Sequence, residues 1–166
     1  MAGEYSSLKM VRKYLADGGR LPSAPSQVQL ILSDLCNQDC SWCAYRLSNY
    51  SSNQLFVGQS QLSKYCHNNP NRHIPHDRAM ACLDEFKRAG VLAVQFTGGG
   101  EPTAHPTHED IFYRALELGF SCALVSNGLR WSDRLKREIL PRFTWVRVSV
   151  DAGTKETYGR TRNTPE

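Results

Sequence analysis

An α/β fold of four βα units around a parallel sheet is the architecture this sequence predicts. Three observations carry it. Short apolar runs alternate with stretches of helical period, and those runs are apolar almost throughout, as strands covered by helices are. Each run also ends in a cluster of glycine, cysteine or small polar residues. Right-handed crossovers then join the successive strands.

Taken in order, residues 5–17 read as a short helix stopped by Gly18 and Gly19, followed by a Pro/Ser linker, LPSAPSQ. Residues 1–27 are thus expected as an N-terminal helix and linker, and 28–166 as the core domain. Residues 28–33 (VQLILS) read as the first strand. Residues 44–74 are polar, keep no steady period and read as a long loop of the kind that contributes to recognition. Pro75 opens a helical stretch with Ala79, Leu83 and Phe86 on one face and Gly90 as its stop. Residues 91–97 (VLAVQFT) form the second strand and lead into TGGGEP. Pro106 opens the next helix, carrying Ile111, Ala115 and Leu118 and stopping at Gly119. Residues 121–126 (SCALVS) are the third strand, ending at Asn127 and Gly128. Ser132 caps a helix bearing Leu135, Ile139 and Phe143. Residues 145–150 (WVRVSV) make the fourth strand, followed by Asp151 and a helix from Thr154.

Apolar residues at 40% and charged residues at 22% suit a soluble globular protein. No apolar run nears the roughly 20 residues of a membrane span, and the first residues lack a signal-peptide apolar core. A cytoplasmic location without a membrane partner is the expectation. The net charge of +4 is scattered: Lys9, Arg12 and Lys13, like Arg134, Lys136 and Arg137, read as solvated helix faces. Nucleic-acid binding calls for a denser basic stripe, so nucleic acid is not an expected partner.

Six cysteines without an export signal argue against a disulfide framework. Cys82 and Cys122 fall in apolar helix and strand patterns and read as packing residues. Cys36, Cys40 and Cys43 crowd onto one loop as C-x-x-x-C-x-x-C. Three thiolates can grip a cuboidal [4Fe–4S] cluster and leave one iron open to a ligand. Structural zinc wants four closed ligands, and the nearest candidates for a fourth, Cys66 and His67, lie far along the 44–74 stretch. A Cys40–Cys43 dithiol would leave Cys36 surplus.

Ligands of parallel α/β sheets bind beyond the carboxyl ends of the strands. The cysteines follow strand one; Gly98, Gly99, Gly100 and Glu101 follow strand two. Ser126 and Asn127 follow strand three, and Ser149 and Asp151 close strand four. Plain readings stand beside these. The glycines alone would be a strand-to-helix turn, Ser126 and Asn127 ordinary turn formers, and Asp151 a cap for the next helix as readily as a ligand contact. His105 reads as a packing or hydrogen-bonding residue at a helix start. Cys66, His67, His73 and His76 read as a polar loop rather than a second metal site.

CNQDCSWC resembles the C-x-x-x-C-x-aromatic-C signature of radical S-adenosylmethionine (SAM) enzymes, and TGGGEP resembles their G-G-E-P motif. The resemblance covers roughly residues 28–160, and the two motifs in this order are far more specific than either alone. It implies a partial (β/α) barrel truncated to about four of that family's βα units. Cys36, Cys40 and Cys43 would ligate a [4Fe–4S] cluster whose open iron chelates SAM. Trp42 would pack near the adenine, and Gly98, Gly99, Gly100 and Glu101 would form the turn that meets the methionine ammonium. Ser149 and Asp151 would reach the ribose hydroxyls, with Ser126 and Asn127 assisting. The implied chemistry is reductive cleavage of SAM to a 5′-deoxyadenosyl radical that takes hydrogen from a peptide or small metabolite. A flavodoxin- or ferredoxin-like donor would supply the electron. The family's later βα units and strand-five motif do not follow GRTRNTPE. Three readings stay open: a fragment, a half completed by a second chain or acting as an activase, and a non-catalytic remnant.

Overall fold

In the computed structural model, residues 9–16, 18–19, 24–43, 45 and 73–163 are described. Cys66, His67 and nearly all of the 44–74 stretch lie outside them. The described elements run α1 (Lys9–Ala16), β1 (Gln27–Leu30), α2 (His76–Arg88), β2 (Ala93–Phe96), α3 (His108–Glu117), β3 (Ser121–Ser126), β4 (Trp145–Val148) and α4 (Lys155–Arg162). The four strands form one parallel sheet in chain order, β1-β2-β3-β4. This is the predicted α/β architecture.

Register places Leu30, Phe96, Leu124 and Val146 in one row across the sheet. Because side chains alternate along a strand, this row and the row two residues before it (Val28, Val94, Cys122) face one way, and the helices bury them. Ala79 and Leu83 of α2 and Ile111, Phe112 and Ala115 of α3 are the helical side of that core. Phe96, Phe112 and Phe143 meet with ring centroids 4.5 and 5.5 Å apart along the chain of contacts. The opposite face carries Gln29 and Gln95, with Gln27 donating to Gln95 at 3.1 Å.

Four elements differ from expectation. β1 leaves the ladder at Leu30 rather than residue 33, because the chain beyond it pairs with the glycine turn and with residues 73–74 instead: Gly100 N donates to Ser33 O and Ile74 N to Leu32 O. β2 and β4 are likewise shorter than their apolar runs, the latter stopping at Val148. Ser132 does accept from Leu135 N at 2.9 Å, but what it starts is a π turn (Leu135–Ile139) running into a 3-10 turn (Leu140–Arg142). Pro141 has no N–H to continue an α ladder.

Candidate functional site

All four strands point their carboxyl ends to one rim, and a cleft of about 270 Å³ opens there. Cys36, Cys40 and Cys43 line one side of it; Gly98, Gly99, Gly100 and Glu101 line another. Ser126, Asn127 and Ser149 complete the predicted residues on its wall. Trp42, half exposed, and Asp151 are not among the lining residues.

The glycine turn is built to touch the segment just before the cysteines. Gly98 and Gly99 take φ of 68° and 63°, the region glycine enters without strain. A Cβ on Gly100 would overlap the Leu35 carbonyl, and one on Gly99 would meet the Asp34 carboxylate. That closeness lets Gly100 N donate to Ser33 O at 2.8 Å and Glu101 N to Leu35 O at 2.7 Å. Two loops from neighbouring strands are thereby zipped together.

Glu101 is 3% exposed and acts as a hub. Its Oε1 accepts from Thr103 N at 3.1 Å, Thr103 Oγ1 at 2.7 Å and Ser126 Oγ at 2.7 Å; its Oε2 accepts from Asn127 N at 2.7 Å. Four donors satisfy a carboxylate that burial would otherwise penalise. Ser126 Oγ in turn accepts from Gly128 N and Trp131 Nε1, each at 3.0 Å. Asn127 Nδ2 reaches back to Asn37 Oδ1 at 2.7 Å and Cys36 Sγ at 3.8 Å. The second, third and first loops form one hydrogen-bonded wall.

Sequence reasoning missed Arg162. It is 6% exposed, lines the cleft and ion-pairs with Asp151. Nothing in GRTRNTPE marks this arginine from its neighbours; its burial comes from contacts far away in the chain. Asp151 therefore does not cap α4. Thr154 does, accepting from Thr157 N at 3.2 Å. His105 is buried at a helix start, as expected, with Nε2 on Ile74 O at 2.7 Å and Nδ1 accepting from Thr107 N at 3.2 Å. Burial pushes the Cys122 thiol up to about 12, which fits a packing residue and not a thiolate.

The cysteines bear on which metal group the site suits. Among the described residues no three His, Cys, Asp or Glu side chains converge as one metal ion requires. Thiolates around a single zinc sit within roughly 4 Å of each other, given Zn–S bonds near 2.3 Å. In a cuboidal cluster each thiolate takes a different iron, so the sulfurs spread further. Three half-buried cysteines line one cleft, with amide and guanidinium N–H groups directed at Cys36 and Cys40, a donor set that fits three-thiolate ligation of a cluster.

Comparison with known proteins agrees with this geometry. Residues 30–166 match the model of the radical SAM superfamily. An S-adenosylmethionine-dependent nucleotide dehydratase of Lacinutrix mariniflava is 29% identical over 121 residues, 73% of this chain and 22% of that protein. One from Flammeovirga pacifica is 22% identical over 156 residues, 92% of this chain and 47% of that protein. The chain thus spans less than half the length of these curated relatives. Streptococcus suis SuiB shares the fold: bound to precursor peptide SuiA it superposes with a TM-score of 0.62 at 19% identity, and bound to S-adenosylmethionine with 0.59 at 18%, each over 94% of this chain and 30% of SuiB. With a family match over most of its length and both family motifs on one rim, the chain belongs to the radical SAM superfamily, a family of enzymes.

Proposed function

We propose that this chain forms the cluster- and SAM-binding part of a radical SAM enzyme acting on a small-molecule substrate. The observation that carries the reading is the shared cleft: the cysteine loop and the glycine–glutamate turn, distant in sequence, face one space and are tied to each other by backbone bonds. Cys36, Cys40 and Cys43 hold three irons of a [4Fe–4S] cluster. Bound there, such a cluster would supply the one-electron reduction by which this family cleaves SAM for hydrogen abstraction from substrate.

The chain's own residues bind and orient. Gly98, Gly99 and Gly100 line the cleft with backbone, Gly99 and Gly100 leaving no room for a side chain against residues 34 and 35, and Glu101 fixes that turn against Ser126 and Asn127. Arg162 places its buried charge in the cleft wall, while Ser149 offers a contact for the cofactor's polar groups. Trp42 and Asp151 act through Arg162, which both contact. Holding both partners in one orientation and keeping water from the radical are the protein's share of the catalysis. The relatives' names point to a nucleotide as the substrate class. A low-potential flavodoxin- or ferredoxin-like protein supplies the electron. Among the described residues no helix is long and apolar enough to cross a membrane.

Anaerobic reconstitution with iron and sulfide tests the reading. The expected product is a brown protein with about four irons per chain, which releases 5′-deoxyadenosine from SAM and dithionite. Cys36→Ala, Cys40→Ala and Cys43→Ala should each abolish that release. A colourless protein, or deoxyadenosine formed equally by the three variants, overturns it.

A further inference from the structure

The last turn of α4 docks on the cysteine loop. Asp39 N donates to Arg162 O at 3.2 Å and Ser41 N to Thr161 O at 3.3 Å. At this joint sits the Arg162 guanidinium, 6% exposed, where a cation persists only if its charge and donors are matched. Nη1 donates to Gln38 Oε1 at 3.1 Å and to Cys40 Sγ at 3.6 Å. Nη2 donates to the Ser149 carbonyl at 2.9 Å and pairs with Asp151. The Trp42 and Tyr158 rings lie 5.5 and 5.6 Å from its central carbon. Gln38 is itself 3% exposed and held by Tyr158, to whose hydroxyl it donates at 3.1 Å.

We propose that Arg162 is a positioning residue that fixes the Cys40 sulfur and raises the reduction potential of the cluster, with Asp151 as the counter-charge that limits the rise. The inference rests on the proposed function, in which Cys40 ligates a [4Fe–4S] cluster. Reduction adds one electron and exchanges no atoms. The added negative charge spreads onto the sulfurs, so a cationic N–H donor at Cys40 stabilises the reduced state more than the oxidised one. An arginine cannot shed its charge to avoid burial, so the effect is permanent. Asp151 opposes it by placing a carboxylate on the same guanidinium. Desolvation strengthens both contributions.

The two signs give the test. Wild type, Arg162→Gln, Arg162→Lys and Asp151→Asn are reconstituted and titrated with dithionite, without SAM, and the midpoint is read by electron paramagnetic resonance. Arg162→Gln should lower it, moving the oxidised-to-reduced ratio about tenfold at fixed potential, or about 59 mV for a one-electron couple. Asp151→Asn, which keeps Arg162 and its donor to Cys40, should raise it. Arg162→Lys keeps the charge and should lie between wild type and the glutamine variant. If Arg162→Gln fails to fold, Asp151→Asn alone decides. An unchanged or lowered midpoint in Asp151→Asn overturns the proposal, since loosening of the loop would not raise it. A wild-type protein that takes up no iron overturns the proposed function and this inference with it.

Discussion

Glu101 shows how much one side chain can hold. Its carboxylate collects donors from the turn after β2 and from the end of β3, and every one of them is buried with it. Glu101→Gln keeps the shape but replaces one acceptor oxygen with an NH₂ that must face an N–H or O–H donor. Leaving a buried donor unmet costs about 1–3 kcal/mol. The urea midpoint of the variant should fall accordingly, and SAM cleavage should fall with it; a midpoint equal to wild type would show that the hub is not structural. Glu101 could be found from sequence because G-G-E-P is a local string. Arg162 could not, because what distinguishes it is Gln38, Cys40 and Asp151, the first two more than 120 residues back in the chain. For the same reason Asp151 offered two sequence readings, cap and ligand contact, while the structure ties it to Arg162 and gives the cap to Thr154.

The elements themselves were legible where one period dominated. α2 and α3 turn the residues their spacing marks toward the core, with Ala79, Leu83, Ile111 and Ala115 buried and Phe86 and Leu118 half-buried against it, and β3 covers the whole of its apolar run. Apolar content does not say where a ladder ends, and the chain after Leu30 left β1 because the glycine turn and residues 73–74 offered Leu32 and Ser33 other partners. Between the N-terminal ends of α2 and α3 lies a feature no pattern announced: His73 and His105 meet edge-on with centroids 5.2 Å apart. Thr107 N donates to His105 Nδ1, so the ring hydrogen sits on Nε2 and the imidazole is neutral. Burial, and secondarily the charge of neighbouring histidines, holds both rings below the ordinary histidine value, against the pull of the Ile74 carbonyl on His105. In the unfolded chain these histidines protonate near pH 6.5, before the folded ones do. Their contribution is therefore complete above that pH and is lost as pH falls through the depressed folded values. The thermal midpoint should drop between pH 7.5 and 5.5, and His105→Gln should flatten the slope. A midpoint that holds or rises on acidification would contradict this.

At the scale of the whole molecule, the sheet and the site are held together differently. The sheet grows in chain order, each strand beside the one before it, and its core would persist without the cleft. The site instead joins the first loop to the last helix: residues 38–41 meet Thr161, Arg162 and Asn163, whose side chain donates to Asp39 at 3.5 Å. This joint is made mostly of hydrogen bonds and ion pairs at a rim, the kind of region that opens locally at low free energy. A group bound only when the cysteines are assembled stabilises the closed joint by linkage. Hydrogen exchange on iron-loaded and metal-free protein should resolve the two parts. Removing iron should raise exchange in residues 36–43 and in α4 (Lys155–Arg162) together, while β2 and β3 keep their protection. Faster exchange of the cysteine loop with α4 unchanged would mean that the helix is not part of the site, and that Arg162 reports on the fold rather than on the cluster.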